Sequence, residues 1–186
     1  MSPFLAFLSG VVAAVLGLFL VRRKFGFAAQ RPADYADGAP AFDIRREFAG
    51  PLRCQGVIYG PLGRVESRFA ADMNGRWDGD TCQLAEEFRY ASGATQSRCW
   101  TLHLAADGSI RAEAPDVVGT GTGRQHGSAV HLRYRIRLPA DSGGHVLSVT
   151  DWMYLAPDGS IVNRSQFRKF GIKVAELVAT MHRPAL

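Results

Sequence analysis

From Phe42 onward, apolar and polar residues alternate with a period of two, which confines the chain to β-strands with one buried face. The clearest run sets Val130, Leu132, Tyr134, Ile136 and Leu138 against His131, Arg133, Arg135 and Arg137. The same pattern predicts strands near residues 52–59, 64–74, 81–90, 95–104, 109–118, 127–138, 145–155, 160–169 and 172–182. Turn chemistry punctuates them at Asn74-Gly75, Asp78-Gly79, Ser92-Gly93, Asp107-Gly108, Ser142-Gly143-Gly144 and Pro157-Asp158-Gly159. Such spacing makes an antiparallel meander, all-β in class, and closure into an up-and-down barrel removes its exposed edges. A barrel of this strand number is filled by side chains or leaves room for one small ligand.

Ahead of that domain, no residue from Pro3 to Val21 carries a charge. As a helix rising about 1.5 Å per residue this stretch reaches roughly 28 Å, the thickness of a bilayer core. The basic triplet Arg22-Arg23-Lys24 follows the apolar stretch instead of preceding it. That order fits a retained single-pass transmembrane helix better than a cleaved signal. The chain thus divides into an anchor with its basic flank at 1–24, a linker at 25–41 containing Pro32, Gly38 and Pro40, and a barrel domain at 42–186. Lys and Arg flanking a span stay in the cytoplasm, so the charge rule places the domain on the cytoplasmic side. Of 186 residues, 47% are hydrophobic and 21% charged, which argues against a disordered chain. The net charge of +5 includes the triplet, so little basic surface remains for nucleic acid.

A series of short motifs runs through the domain: Phe48-Ala49-Gly50, Asn74-Gly75-Arg76-Trp77-Asp78-Gly79, Leu84-Ala85-Glu86-Glu87-Phe88-Arg89-Tyr90, Arg98-Cys99-Trp100 and Asp116-Val117-Val118-Gly119. It continues with Asp151-Trp152-Met153-Tyr154-Leu155, Ile161-Val162-Asn163-Arg164 and Lys169-Phe170-Gly171. In this order they resemble the bacterial family known as domain of unknown function 3833, over about Phe42 to Arg183. The resemblance implies a lipocalin-like barrel in the cell envelope, and no established activity or ligand. Many members look like lipoproteins with a lipidated cysteine, whereas this chain has no Cys before Cys54 and carries its apolar span instead. Resemblance therefore implies a periplasmic domain and the charge rule a cytoplasmic one, both on a bacterial inner membrane.

Two pairs of ionisable residues break the alternation. Glu86 shares the apolar parity of Leu84, Phe88 and Tyr90, and Arg98 that of Trp100, Leu102 and Leu104. An odd loop at Ser92-Gly93-Ala94 would make both faces coincide, set Glu86 opposite Trp100, and leave Glu86 and Arg98 as diagonal neighbours inside the barrel. That placement suits a structural ion pair, or an interior arginine that receives a ligand carboxylate or phosphate. Across Pro157-Asp158-Gly159, a three-residue loop sets Trp152 opposite Arg164 and Asp151 opposite Ser165, while a one-residue shift sets Asp151 against Arg164. Asp151, Trp152 and Arg164 then either staple a hairpin or line a cavity mouth. Tyr134 is a core tyrosine or a ligand contact. The row of His131, Arg133, Arg135 and Arg137 is a solvated face or one drawn to anionic headgroups.

Other chemistry is missing from the sequence. Gly119-Thr120-Gly121-Thr122-Gly123 lacks the Lys-Ser/Thr of a phosphate loop and leads into a strand, so a flexible turn is expected. His103, His126, His131, His145 and His182 show no paired metal spacing, and Cys54, Cys82 and Cys99 form no CxxC. No Gly-x-Ser-x-Gly elbow occurs. No metal, cofactor or nucleic acid is expected. The reading these residues support is a membrane-tethered barrel that binds a small apolar or amphipathic, lipid-like molecule through Glu86, Arg98, Trp100, Tyr134, Asp151, Trp152 and Arg164. The alternatives are an enzyme using Glu86 or Asp151 as acid or base, and a structural envelope protein without a ligand.

Overall fold

The structure, a computed structural model, describes residues 2–184. Ten strands follow one another: β1 (Gly50–Tyr59), β2 (Val65–Asp78), β3 (Thr81–Tyr90), β4 (Thr95–Leu104), β5 (Ser109–Glu113), β6 (Gly121–His126), β7 (Ala129–Arg137), β8 (Val146–Leu155), β9 (Ile161–Lys169) and β10 (Ile172–His182). Each pairs antiparallel with its neighbours in sequence, and β1 meets β10 to close the barrel. Alternation sets the inward face. In β3, Cys82, Leu84 and Glu86 are buried while Gln83, Ala85 and Glu87 are exposed. Each Leu-sized side chain buried in this way contributes about 1.5–3 kcal/mol.

The sequence suggests about nine strands, and the extra one is β6, inside the glycine-rich stretch expected to be a turn. Gly121 and Gly123 hide the alternation because they carry no side chain. A Cβ on Gly123 would lie 2.2 Å from the His131 carbonyl oxygen and 2.4 Å from Leu132 Cδ2, so close approach of β7 demands glycine there. The strand expected at 109–118 stops at Glu113, and Val117 turns back to bridge Ile136. The turn expected at Asn74-Gly75 is also absent. There β2 runs on to Asp78, with Gly75 paired to Leu84. A Cβ on Gly75 would stand 1.7 Å from the Phe48 carbonyl oxygen, so this glycine serves a close contact rather than a turn.

That contact belongs to the plug of the barrel. Helix α1 is Pro3–Phe25, and the one-turn helix α2 spans Ile44–Glu47, with the Asp43 side chain accepting from the Arg45 backbone N–H. Phe42, Ile44 and Phe48 around it are buried in the core, and the Ile44 N–H donates to Gln125 Oε1 at 2.8 Å. They close the end that carries the β2–β3 and β6–β7 turns. The β1–β2, β3–β4, β5–β6, β7–β8 and β9–β10 connections gather at the other end, which is open.

The segment expected as a linker lies along the outer wall as a strap. Tyr35 packs on Trp152 and Tyr154, with ring centroids 5.2 and 5.3 Å apart. The Tyr154 hydroxyl donates to Gln30 Oε1 at 2.7 Å, and the Ser128 and Phe42 N–H groups donate to the Tyr35 and Gly127 carbonyls. By contrast, α1 is exposed along its described length, and its stretch Pro3–Val21 has the length and apolarity of a membrane anchor or a signal sequence. The side chains of Arg22 and Arg23 in its expected basic flank, and residues 185 and 186, lie outside the described residues. At the open end the β9–β10 turn holds Phe170 at φ 51°, a left-handed conformation that costs a bulky residue about 1–3 kcal/mol.

Candidate functional site

Inside the barrel lies a cavity of about 130 Å³, with Glu86, Arg98, Trp100, Tyr134 and Asp151 in its wall. A wider vestibule of about 570 Å³ lies at the open rim, where Phe88, Arg98, Ile136 and Phe167 line both spaces. Arg98 thus stands where the vestibule narrows into the chamber.

The Glu86 and Arg98 faces coincide as the odd loop requires, but the register differs from the expected one. The Tyr90 N–H donates to the Ala94 carbonyl, so the three-residue loop falls one position earlier and Glu86 sits directly opposite Arg98. Leu84, not Glu86, faces Trp100. Glu86 Oε2 and Arg98 Nη1 are 4.0 Å apart, and the closer partner of Arg98 is Asp116. Nε and Nη2 lie 3.0 and 2.9 Å from Asp116 Oδ1. Asp116 is fixed by the turn after β5, where its carbonyl accepts from the Arg137 N–H at 2.8 Å. The guanidinium lies 4.1 Å from the Trp100 ring centroid, and Trp100 meets Tyr134 edge-on at 5.1 Å.

Two carboxyls thus flank the guanidinium, and a third, Asp151, feels its charge from across the cavity wall. Burial pushes the Glu86 carboxyl up to about 7, Arg98 opposes the shift, and Asp151 and Asp116 add to it. Among the described residues the buried Glu86 Oε2 has no hydrogen-bond partner. Burial also raises the Asp151 carboxyl, against hydrogen bonds from Ser165, 2.8 Å away, and Asn163. The Tyr134 hydroxyl is raised as well, chiefly by burial, and the nearby Cys54 thiol is pushed up to about 12 by burial and by Glu86. The site therefore holds acceptors, aromatic faces and, in Glu86 and Asp151, carboxyls whose ionisation burial disfavours. Among the described residues its single cation, Arg98, is already engaged by Asp116. Among the described residues no three His, Cys, Asp or Glu side chains form a metal-holding group.

Trp152 and Arg164 are elsewhere. The β8–β9 register sets Asp151 opposite Ser165 and Trp152 opposite Arg164, the first of the two alternatives. Because adjacent strand residues point to opposite faces, Asp151 enters the cavity and Trp152 leaves it. Trp152 is nonetheless only 1% exposed, since His131 and Tyr35 cover it. Arg164 lies outside as well, paired with Glu176 and stacked 4.9 Å from the Phe27 ring centroid. His131 departs from the expected solvated row. It is buried beside Trp152, and burial lowers its imidazole to about 4, while Arg133, Arg135 and Arg137 remain exposed.

Three site residues were not singled out from the sequence. Asn163 and Ser165 share the inward parity of Ile161 and Phe167, the same sign that marks Glu86, and could have been found by it. Asp116 lies in a turn, where no alternation exists to mark it.

Residues 22–183 match the family described as a protein of unknown function (DUF3833). Among solved structures, the crystal structure of Rv2717c from M. tuberculosis is similar with a TM-score of 0.56 at 17% identity, over 80% of this chain and 100% of that one. The S-type phycobiliprotein lyase CPES from Guillardia theta is similar with a TM-score of 0.54 at 8% identity, over 76% of this chain and 90% of that one. At these identities the likeness is one of fold. No curated protein matches the chain in sequence.

Proposed function

The chain belongs to the DUF3833 family of proteins of unknown function, and we propose that its barrel binds a small amphipathic, lipid-like molecule. The polar end of that molecule reaches the chamber at Glu86 and Asp151, and its apolar part lies against Phe88, Phe167 and Ile136 in the vestibule. One observation carries this reading: Glu86 Oε2, buried in the cavity wall with no hydrogen bond, is an acceptor that a ligand donor would satisfy. Since Arg98 is engaged by Asp116 and carboxyls outnumber cations, a hydroxyl or amine head group suits the chamber better than a carboxylate or phosphate. The recurrence of the fold in a phycobiliprotein lyase fits a barrel that engages another molecule. In this reading α1 is the single-pass anchor and the barrel domain works at the surface of a bacterial inner membrane.

The test is extraction and native mass spectrometry of the full-length protein purified from its membrane. A co-purifying amphiphile near one equivalent is expected, reduced about tenfold or more in Glu86→Gln, as loss of a buried hydrogen-bond partner costs about 1–3 kcal/mol. A barrel that is consistently empty overturns the reading.

The same carboxyl supports a second reading. A Glu held at about 7 in a cavity is suited to general acid or base work on a bound substrate, with Arg98 stabilising developing negative charge. Turnover that is lost in Glu86→Gln while the amphiphile still co-purifies would establish it, and turnover that persists would remove it.

A further inference from the structure

We propose that the open rim of the barrel docks on an anionic lipid surface through two neighbouring hairpin tips. Outside α1, the strongly exposed large hydrophobic side chains among the described residues are Leu62, Val65, Phe170 and Ile172, at 93%, 57%, 94% and 70% exposure. All four lie on the β1–β2 and β9–β10 hairpins. These hairpins are adjacent because β1 pairs with β10, and the pairing stops at Tyr59 opposite Glu176, so both tips project beyond the closed part of the wall. Apolar side chains concentrated at one edge of an otherwise polar surface mark an interaction site.

Phe170 strengthens the argument. It occupies a left-handed turn position that glycine or asparagine fills without penalty, and among the described residues the one cation or ring recorded against its own ring is the neighbouring Lys169 ammonium, 5.8 Å from the centroid. The fold gives no reason for a phenyl ring there, whereas a lipid surface does. Charge selects the partner. Arg64, Arg68 and Lys169 beside the tips have no carboxylate within ion-pair distance among the described residues, a basic collar complementary to anionic headgroups.

The strap supplies the direction. Phe27 lies beside Arg164 in β9, Gln30 beside Tyr154, and Tyr35 at the Gly127-Ser128 turn on the plugged end. From Phe27 to Tyr35 the strap therefore runs along the wall toward the plugged end, away from the rim. In this proposal the bilayer that touches the rim is the one α1 spans, and the vestibule opens onto it.

The experiment uses the full chain in vesicles of phosphatidylglycerol and phosphatidylcholine with brominated acyl chains. Phe170→Trp should gain emission that the bromines quench, whereas Pro157→Trp at the plugged end should not be quenched. Arg64→Glu with Arg68→Glu should weaken the docking about tenfold or more, as should vesicles of phosphatidylcholine alone. Quenching of neither added tryptophan, or of both alike, overturns the docking, and quenching indifferent to charge overturns the anionic partner. The readout is independent of whether any molecule co-purifies in the barrel, so either proposal can fail without the other.

Discussion

Asp151 and Trp152 are consecutive in β8, yet they belong to different buried sites. Within the barrel, Asp151 joins Glu86, Arg98 and Trp100 around a hollow, with Asp116 holding Arg98 from the vestibule; outside it, Trp152 joins His131, Tyr35 and Tyr154 beneath the strap. Each site sets a titratable group among aromatic rings and desolvates it. The responses have opposite sign because burial disfavours the charged form in both. Glu86 is raised to about 7 and His131 lowered to about 4. The inner group keeps a counter-charge in Arg98 and a space beside it. The outer one faces Arg133 on its own strand and is filled by rings. The difference teaches that the inner site has the elements of recognition, and the outer one those of a clasp.

Substitutions should separate the two. The largest losses are expected from Trp152→Ala, about 3–5 kcal/mol for an aromatic removed from a packed site, and from Arg98→Ala, about 3–5 kcal/mol because buried carboxyls lose their partner. Urea unfolding of the full-length protein measures both. The distinction is that amphiphile co-purification per folded molecule should survive Trp152→Ala and fall in Arg98→Ala; the reverse result would break the comparison.

A smaller effect is expected from pH. Between pH 4.5 and about 7 the folded barrel keeps the Glu86 proton that the unfolded chain has released, so this group makes stability fall as pH rises through that window. His131 acts in the opposite sense. Between about 4 and 6.5 the unfolded chain binds a proton that the folded state refuses, so stability falls as pH drops. Unfolding free energy measured against pH should lose the first slope in Glu86→Gln and the second in His131→Gln; identical profiles would show that neither desolvation operates. The smallest effect belongs to Arg164→Ala. This residue's side chain is 46% exposed in its pair with Glu176, and its loss should cost under about 1 kcal/mol and leave the cavity occupied.

Much of the wall was legible in the sequence because alternation is a local property that burial on one face enforces. The sequence leaves two β8–β9 registers open, of which the structure takes the one with a three-residue loop, while Glu86 and Arg98 stand out as charges on apolar parities. Their precise opposition does not, because loops at 91–93 and at 92–94 share one parity and differ only in pairing. β6 was hidden because Gly121 and Gly123 offer no side chain to alternate, and Gly75 imitated a turn while serving the Phe48 carbonyl. The sequence leaves Trp152 and Arg164 either stapling the hairpin or lining a cavity mouth, and their parity, opposite to that of Asp151, sets them on the outer face. What buries Trp152 is the strap, an irregular Ala-, Pro- and Gly-containing segment whose docking no periodicity announces.

The seam between β1 and β10 has a consequence for how the molecule is made. Nine of the pairings join strands that are neighbours in the chain, but this one joins Arg53 to His182 across nearly the whole domain. During vectorial synthesis the growing sheet can extend hairpin by hairpin, yet its first strand keeps an unsatisfied edge until the last strand has left the ribosome. A chain interrupted before β10 would be an adhesive open sheet, so quality control has most to guard against until that strand has emerged.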